Sequence, residues 1–173
     1  MSITAATAAL KFAFDRVTSE YTELSDVWKQ VDTKAQATAT IAGIFMAAAF
    51  AFVRNAAFQL TSTEKVLLSA LLVLLLASIS VAVRAMLIRE VPMPPEPEAV
   101  AKMVEELLTQ PETEYEERHA SLLADTVNAW IPVNRELRST VTSKASGVAW
   151  AQGALLLAAL VMAALIILTV LTH

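Results

Sequence analysis

Leu10, Phe14, Val17, Tyr21, Leu24, Trp28 and Val31 recur at alternating steps of four and three, and the stripe runs directly into an uncharged apolar stretch from Ala37 to Val53. Heptad spacing keeps one face of a helix against a partner along its whole length. No Pro or Gly interrupts the pattern before Gly43, so one helix is expected from about Thr4 to Val53. At about 1.5 Å per residue it would be roughly 75 Å long, with roughly 40 Å outside a bilayer. A helix that only crossed a membrane would need its second half alone. The added stripe points to a membrane protein that receives a signal.

Composition agrees with membrane insertion. Hydrophobic residues make up 56% of the 173 positions, and the mean hydropathy is +0.55, too apolar for an ordinary soluble domain. Ala37 to Val53, Val66 to Val83 and Ala145 to Thr172 lack Asp, Glu, Lys and Arg, and each approaches the roughly 17 to 25 residues that a bilayer requires. Met1 to Leu10 has no basic segment, and Lys11, Asp15 and Arg16 cut its apolar run short, so the first helix is expected to belong to the mature protein. The absence of Cys excludes disulfides and thiol chemistry.

Of the 13 Lys and Arg, only Arg54 and Lys65 lie between the first two spans. Lys29, Lys34, Arg84, Arg89, Arg135, Arg138 and Lys144 flank the membrane on the other side. The positive-inside rule then puts the N-terminus and the middle segment in the cytoplasm, with a short outer hairpin and His173 outside. Thr61 followed by Glu64 has the spacing of a capping box and would open the second span.

The expected architecture is an all-α membrane protein with three transmembrane helices, two of them extended into cytoplasmic stalks, plus a small cytoplasmic helical segment. The stalk covers 1–35, the first span 36–54, the hairpin 55–64, the second span 65–84, the cytoplasmic segment 85–144 and the third span 145–173. Val91 to Glu98, VPMPPEPE, carries four prolines and reads as a stiff connector. Val100, Met103, Val104, Leu107 and Leu108 give a short helix its apolar face. Pro111 suits the first turn of a second helix, which carries Tyr115, Leu122, Leu123, Val127 and Trp130. Pro132 is expected to end or kink that helix. Beyond it Val133, Leu137, Val141, Ala145 and Val148 lead into the last span.

No catalytic constellation is visible. His119 and His173 are far apart, no His pair has metal-ligand spacing, and the three glycines form no phosphate loop. His119, among Glu116, Glu117 and Arg118, reads as a solvated or stacking side chain. The spans hold no ionisable group of the kind that proton pumps, voltage sensors and coupled transporters use. Neither enzyme activity nor a cofactor is expected.

Two patterns remain as candidate sites. Ala35, Ala39, Gly43, Ala47 and Ala51 form a column of small residues spaced by four, with lesser versions in Gly147 with Ala151 and Ala149 with Gly153. Such columns let helix backbones approach closely, within one subunit or between subunits. Asp32 and Lys34 flank the heptad seam, where charges set partner and register, although Lys34 also reads as an ordinary interfacial lysine. Ten of the 17 acidic residues fall between Glu90 and Asp125, which disfavours a polynucleotide ligand. Arg84, Arg89, Arg135, Arg138 and Lys144 are candidates to hold a few phosphates, and topology anchoring accounts for the same residues.

Val31 to Phe52, VDTKAQATATIAGIFMAAAFAF, resembles the membrane-effector family of Pycsar anti-phage systems, in which an Asp-x-Lys-Ala motif caps a long helix at the first span. The motif here is Asp32, Lys34 and Ala35. The order of parts is also similar, down to a basic helix, Arg135 to Lys144, that leads through Trp150 and Gly153 into a last span. The resemblance implies an inner-membrane effector beside a pyrimidine cyclase, activated by cyclic UMP or cyclic CMP and stopping the cell by impairing its membrane. A homo-oligomer in the lipid bilayer, with Asp32 and Lys34 as coupling residues, is the corresponding expectation. A constitutive scaffold that docks a partner through Tyr115, Trp130 or the acidic helix is the alternative, and a holin-like pore would not need the stalk.

Overall fold

The computed structural model describes residues 3–55, 60–87, 101–102, 104–105, 109 and 112–172. Three long helices account for nearly all of them: α1, Ile3–Asn55; α2, Ser62–Met86; and α3, Glu112–Thr172. The expected single helix through stalk and first span is present as α1. In the expected short helix after the proline connector, Ala101, Lys102, Val104 and Glu105 are helical, and the Thr109 N–H donates to the Glu105 carbonyl at 3.2 Å. The proline-rich connector itself, Arg89, Pro111 and His173 lie outside the described residues.

Pro132 neither ends nor divides α3, which corrects one of the two outcomes expected from the sequence. Proline lacks an N–H, so the Asn128 carbonyl loses its helical donor at that point. The turns on either side are held by packing instead. Trp130 sits edge-on to Tyr21, with ring centroids 5.1 Å apart at 74°, and Val133, Asn134 and Leu137 are all buried.

The chain divides into two compact units, residues 1–28 with 89–141 and residues 29–88 with 142–173. In the first unit the stripe Leu10, Phe14, Val17, Tyr21, Leu24 and Trp28 is half-buried throughout, while Lys11, Phe12, Asp15, Arg16 and Ser19 between its members are exposed. Asn134 donates to the Val17 carbonyl at 2.8 Å, and Arg138 pairs with Glu20. The heptad stripe is therefore the packing face of α1, as its spacing requires.

The second unit packs all three helices. Its core joins Ala42 and Ala49 of α1, Leu71 and Leu75 of α2, and Ala158 of α3, and a second cluster joins Val31, Ala35, Ala85 and Val148. The packed positions continue the step of four and three: Val31, Ala35, Thr38, Ala42, Phe45 and Ala49 on α1; Glu64, Leu68, Leu71, Leu75, Ser78, Ala82 and Ala85 on α2. On α3 they run Lys144, Val148, Ala151, Leu155, Ala158, Met162, Leu165 and Thr169. Small residues alternate with larger ones along these seams, most densely on α1 at Ala35, Thr38, Ala42 and Ala49, and let the helix backbones approach closely there.

Buried polar groups within this unit are hydrogen-bonded. Ser78 donates to the Ala151 carbonyl at 2.8 Å, a bond between α2 and α3, and Thr38 donates back to the Lys34 carbonyl at 2.8 Å. Each helix is long and apolar enough to cross a membrane, and at most 22% of any apolar window is buried. Ile44, Phe50, Val66, Val73, Leu156, Leu160, Ile167, Val170 and Leu171 remain exposed. So much exposed apolar surface on helices of this length is compatible with a membrane protein.

Candidate functional site

Asn134 lies two residues beyond Pro132 and is only 4% exposed. Its Nδ2 donates to the Val17 carbonyl, which fixes the orientation of the amide, since the other end carries no hydrogen to donate. Its Oδ1 is buried without a hydrogen-bond partner. A buried acceptor left in that state costs about 1–3 kcal/mol. It stands out because most buried polar atoms in native proteins are satisfied.

Asn134 lines an open cavity of about 330 Å³ together with Val17, Glu20, Ile131, Arg135 and Arg138. All six belong to the first unit. Arg138 is held by Glu20, so its charge is balanced locally, and Arg135 adds a guanidinium from the next turn of α3. The volume is at the small end of the roughly 300–1,000 Å³ usual for ligand pockets. Two of the sequence-predicted basic residues, Arg135 and Arg138, thus share one concave site. Val17 and Glu20 reach it because heptad packing holds the face of α1 against α3.

Lys144 is placed elsewhere. It occupies a seam position of α3 in the second unit, is 6% exposed, and its Nζ donates to Asp32 Oδ1 at 2.9 Å. Asp32 is 37% exposed at its side chain, so the pair spans from packed interior to surface. Lys34, two residues on, is exposed, as is Arg84. Of the Asp-x-Lys-Ala motif, then, Asp32 holds a neighbouring helix, Ala35 is fully buried in the seam, and Lys34 points to the surroundings.

The small-residue column divides in the same way. Ala35 is buried and Ala39 half-buried, whereas Gly43, Ala47 and Ala51 are exposed, and a Cβ built on Gly43 would meet nothing within 4 Å. On α3, Gly147 lies against Ala85, its Cβ position 3.5 Å from the alanine methyl, and Gly153 is exposed with open space around it. Gly147 and Ala35 therefore serve packing within the chain, while Gly43, Ala47, Ala51 and Gly153 lie on faces the chain leaves uncovered.

Glu64 is a site that the sequence showed only as a helix cap. The capping box with Thr61 is present: the Thr61 N–H donates to Glu64 Oε2 at 2.7 Å, and the Glu64 N–H to Thr61 Oγ1 at 3.3 Å. Glu64 is also fully buried, and Thr169 near the end of α3 donates to its Oε1 at 3.2 Å. One carboxyl group caps α2 and ties it to α3. His119 stacks at a tilt on Tyr115, with centroids 5.8 Å apart, and among the described residues no cluster of His, Cys, Asp or Glu could hold a metal ion.

Comparison with protein-family models, curated proteins and solved structures finds no match for this chain.

Proposed function

We propose that this chain is a membrane effector of an anti-phage defence system, which responds to cyclic UMP or cyclic CMP by rearranging as an oligomer and impairing the bacterial inner membrane, so that infection is abortive. The observation that carries this reading is that α1 and α3 each bear, on one unbroken helix, both cavity-lining residues and an exposed apolar stretch long enough to cross a membrane: Val17 and Glu20 with Ile44 and Phe50 on α1, and Asn134, Arg135 and Arg138 with Leu156 and Ile167 on α3. A ligand that draws the two helices together in one unit biases the packing of the same helices in the other. It needs only a few kcal/mol of preference between two arrangements to switch the population.

Asp32 and Lys34 are the coupling residues in this account. The Asp32–Lys144 pair fixes the register of α1 against α3, and the exposed Lys34 is available to a second subunit or to lipid head groups. The uncovered Gly43, Ala47 and Ala51 face suits self-association. In this reading the N-terminus and residues 85–144 are cytoplasmic and the C-terminus is outside, an orientation that the positive-inside rule supports. The functional partner is a pyrimidine cyclase, and the effector itself performs no chemistry.

Expression beside a pyrimidine cyclase tests this. Cells should admit a membrane-impermeant dye when the cyclase is active, and retain their barrier when the cyclase is inactivated. Dye entry independent of the cyclase would contradict it. An exposed Phe12 on α1 favours a second reading, a constitutive scaffold that docks a partner protein, and such a scaffold would leave the barrier intact in both cases.

A further inference from the structure

We propose that Lys34 of α1, Arg84 of α2 and Trp150 of α3 form a surface that binds the head groups of anionic phospholipids. All three belong to the second unit, in which Val31 and Ala35, Ala85 and Val148 pack as one cluster. The core farther along joins Ala42 and Ala49, Leu71 and Leu75, and Ala158, so α1 and α3 run one way through this unit and α2 the other. At about 1.5 Å per residue, Lys34, Arg84 and Trp150 each lie within about 3 Å of the cluster along their own helix. One residue from each helix is therefore at a single level, and all three are exposed, Trp150 at 75%.

That level is where charge stops. Asp, Glu, Lys and Arg are absent between Lys34 and Arg54 on α1, between Lys65 and Arg84 on α2, and from Ala145 to Thr172 on α3. In a bilayer such an edge is the head-group region, where tryptophan rings settle and long basic side chains reach outward. Lys34 and Arg84 make no ion pair among the described residues, and the Trp150 indole N–H makes no hydrogen bond there. Asp32 is the one acidic side chain among the described residues within a turn of this level, and Lys144 holds it. All three exposed side chains are donors, and both charges are positive. A phosphodiester accepts from each of them. One that keeps its net negative charge, as in phosphatidylglycerol, is favoured over one whose lipid carries its own ammonium, as in phosphatidylcholine. Ile41, Val83 and Leu156, exposed just beyond, suit the acyl chains of the same molecule, which free phosphate and a soluble partner do not supply.

This surface rests on the membrane reading above and needs no nucleotide. The test is tryptophan fluorescence of the full chain in phosphatidylcholine vesicles, where the same small fraction of either phosphatidylglycerol or phosphatidylcholine carries bromine near the top of its acyl chains. Trp28 and Trp130 lie in the other unit, and subtracting the signal of Trp150→Phe isolates Trp150. Brominated phosphatidylglycerol should quench Trp150 at least about threefold more strongly than brominated phosphatidylcholine. In the double variant Lys34→Gln with Arg84→Gln the two lipids should quench alike, with phosphatidylcholine quenching unchanged; both residues are exposed, so the fold is kept. Equal quenching in the wild type, or a preference that the double variant retains, would overturn the head-group site and leave the membrane reading standing. Quenching by neither lipid would overturn the membrane reading and the site with it.

Discussion

Lys144 Nζ donates to Asp32 Oδ1 across 2.9 Å, joining α3 to α1 at a position where every other member of the α3 seam is apolar, small or hydroxylic. The lysine is buried and the aspartate part-exposed, so the two substitutions are unequal. Asp32→Ala takes this partner from a buried ammonium and should cost about 2–3 kcal/mol, the range for a hydrogen bond to a charged group. Lys144→Met leaves a carboxylate that water can reach and should cost less than about 1 kcal/mol. Thermal unfolding of both variants in detergent checks the order, and equal losses would mean that the pair does not hold the helices.

Lys34 makes no ion pair among the described residues and lies on the surface. Replacing it by Ala should leave insertion and unfolding temperature unchanged while abolishing toxicity in cells that make the nucleotide. Retained toxicity would remove Lys34 from the coupling and leave Asp32 with Lys144 as the motif's working part.

The two kinds of small residue in α1 separate by substitution. Ala42 is fully buried between α2 and α3, and Ala42→Leu should destabilise by about 1–3 kcal/mol through overpacking. Gly43 is its neighbour with open space at the Cβ. Gly43→Ala should raise helix stability by up to about 1 kcal/mol, and Gly43→Leu should shift the oligomeric state measured by cross-linking in membranes without lowering the unfolding temperature.

Loss of the Glu64 carboxyl should be felt at two helices. Thr61→Ala removes the cap alone and should cost about 1 kcal/mol. Glu64→Ala also removes the tie to Thr169 and should cost more than Thr61→Ala, with faster hydrogen exchange at the end of α3 as well as at the start of α2. Exchange that changes at α2 alone would reduce Glu64 to a cap.

The stalk face of α1 was legible because its members are large and apolar among charged neighbours. Within the membrane that contrast disappears. Ala35, Thr38, Ala42 and Ala49 pack within the chain, but the exposed positions are just as apolar, so the column Ala35, Ala39, Gly43, Ala47 and Ala51 suggested close packing either within one subunit or between subunits. A step of four overshoots the 3.6-residue turn by about 40°, so that column winds off the packed face within two or three steps. Alternating four and three does not. The heptad begun at Leu10 was thus the better guide to packing within the chain, while the exposed members of the column bear on association between subunits.

The pocket was half legible. Arg135 and Arg138 stood out as charges near a span, but their separation from Lys144 follows from helix phase and burial. Asn134, a polar residue beside a proline, carries no sequence mark of its unsatisfied oxygen. Glu20 was one acid among 17, and only its place against Arg138 gives it meaning. Pro132 does not end α3 because a helix interrupted in one hydrogen bond can be held by the side chains flanking the gap.

The most direct measurement is dye release from liposomes containing the purified, inserted protein as cyclic UMP, cyclic CMP, cyclic AMP and linear UMP are added in turn. A ligand-gated effector releases dye with one or both cyclic pyrimidines and not with the other two. Protein that is folded and inserted yet releases nothing with any of them, or leaks before any is added, would contradict the account.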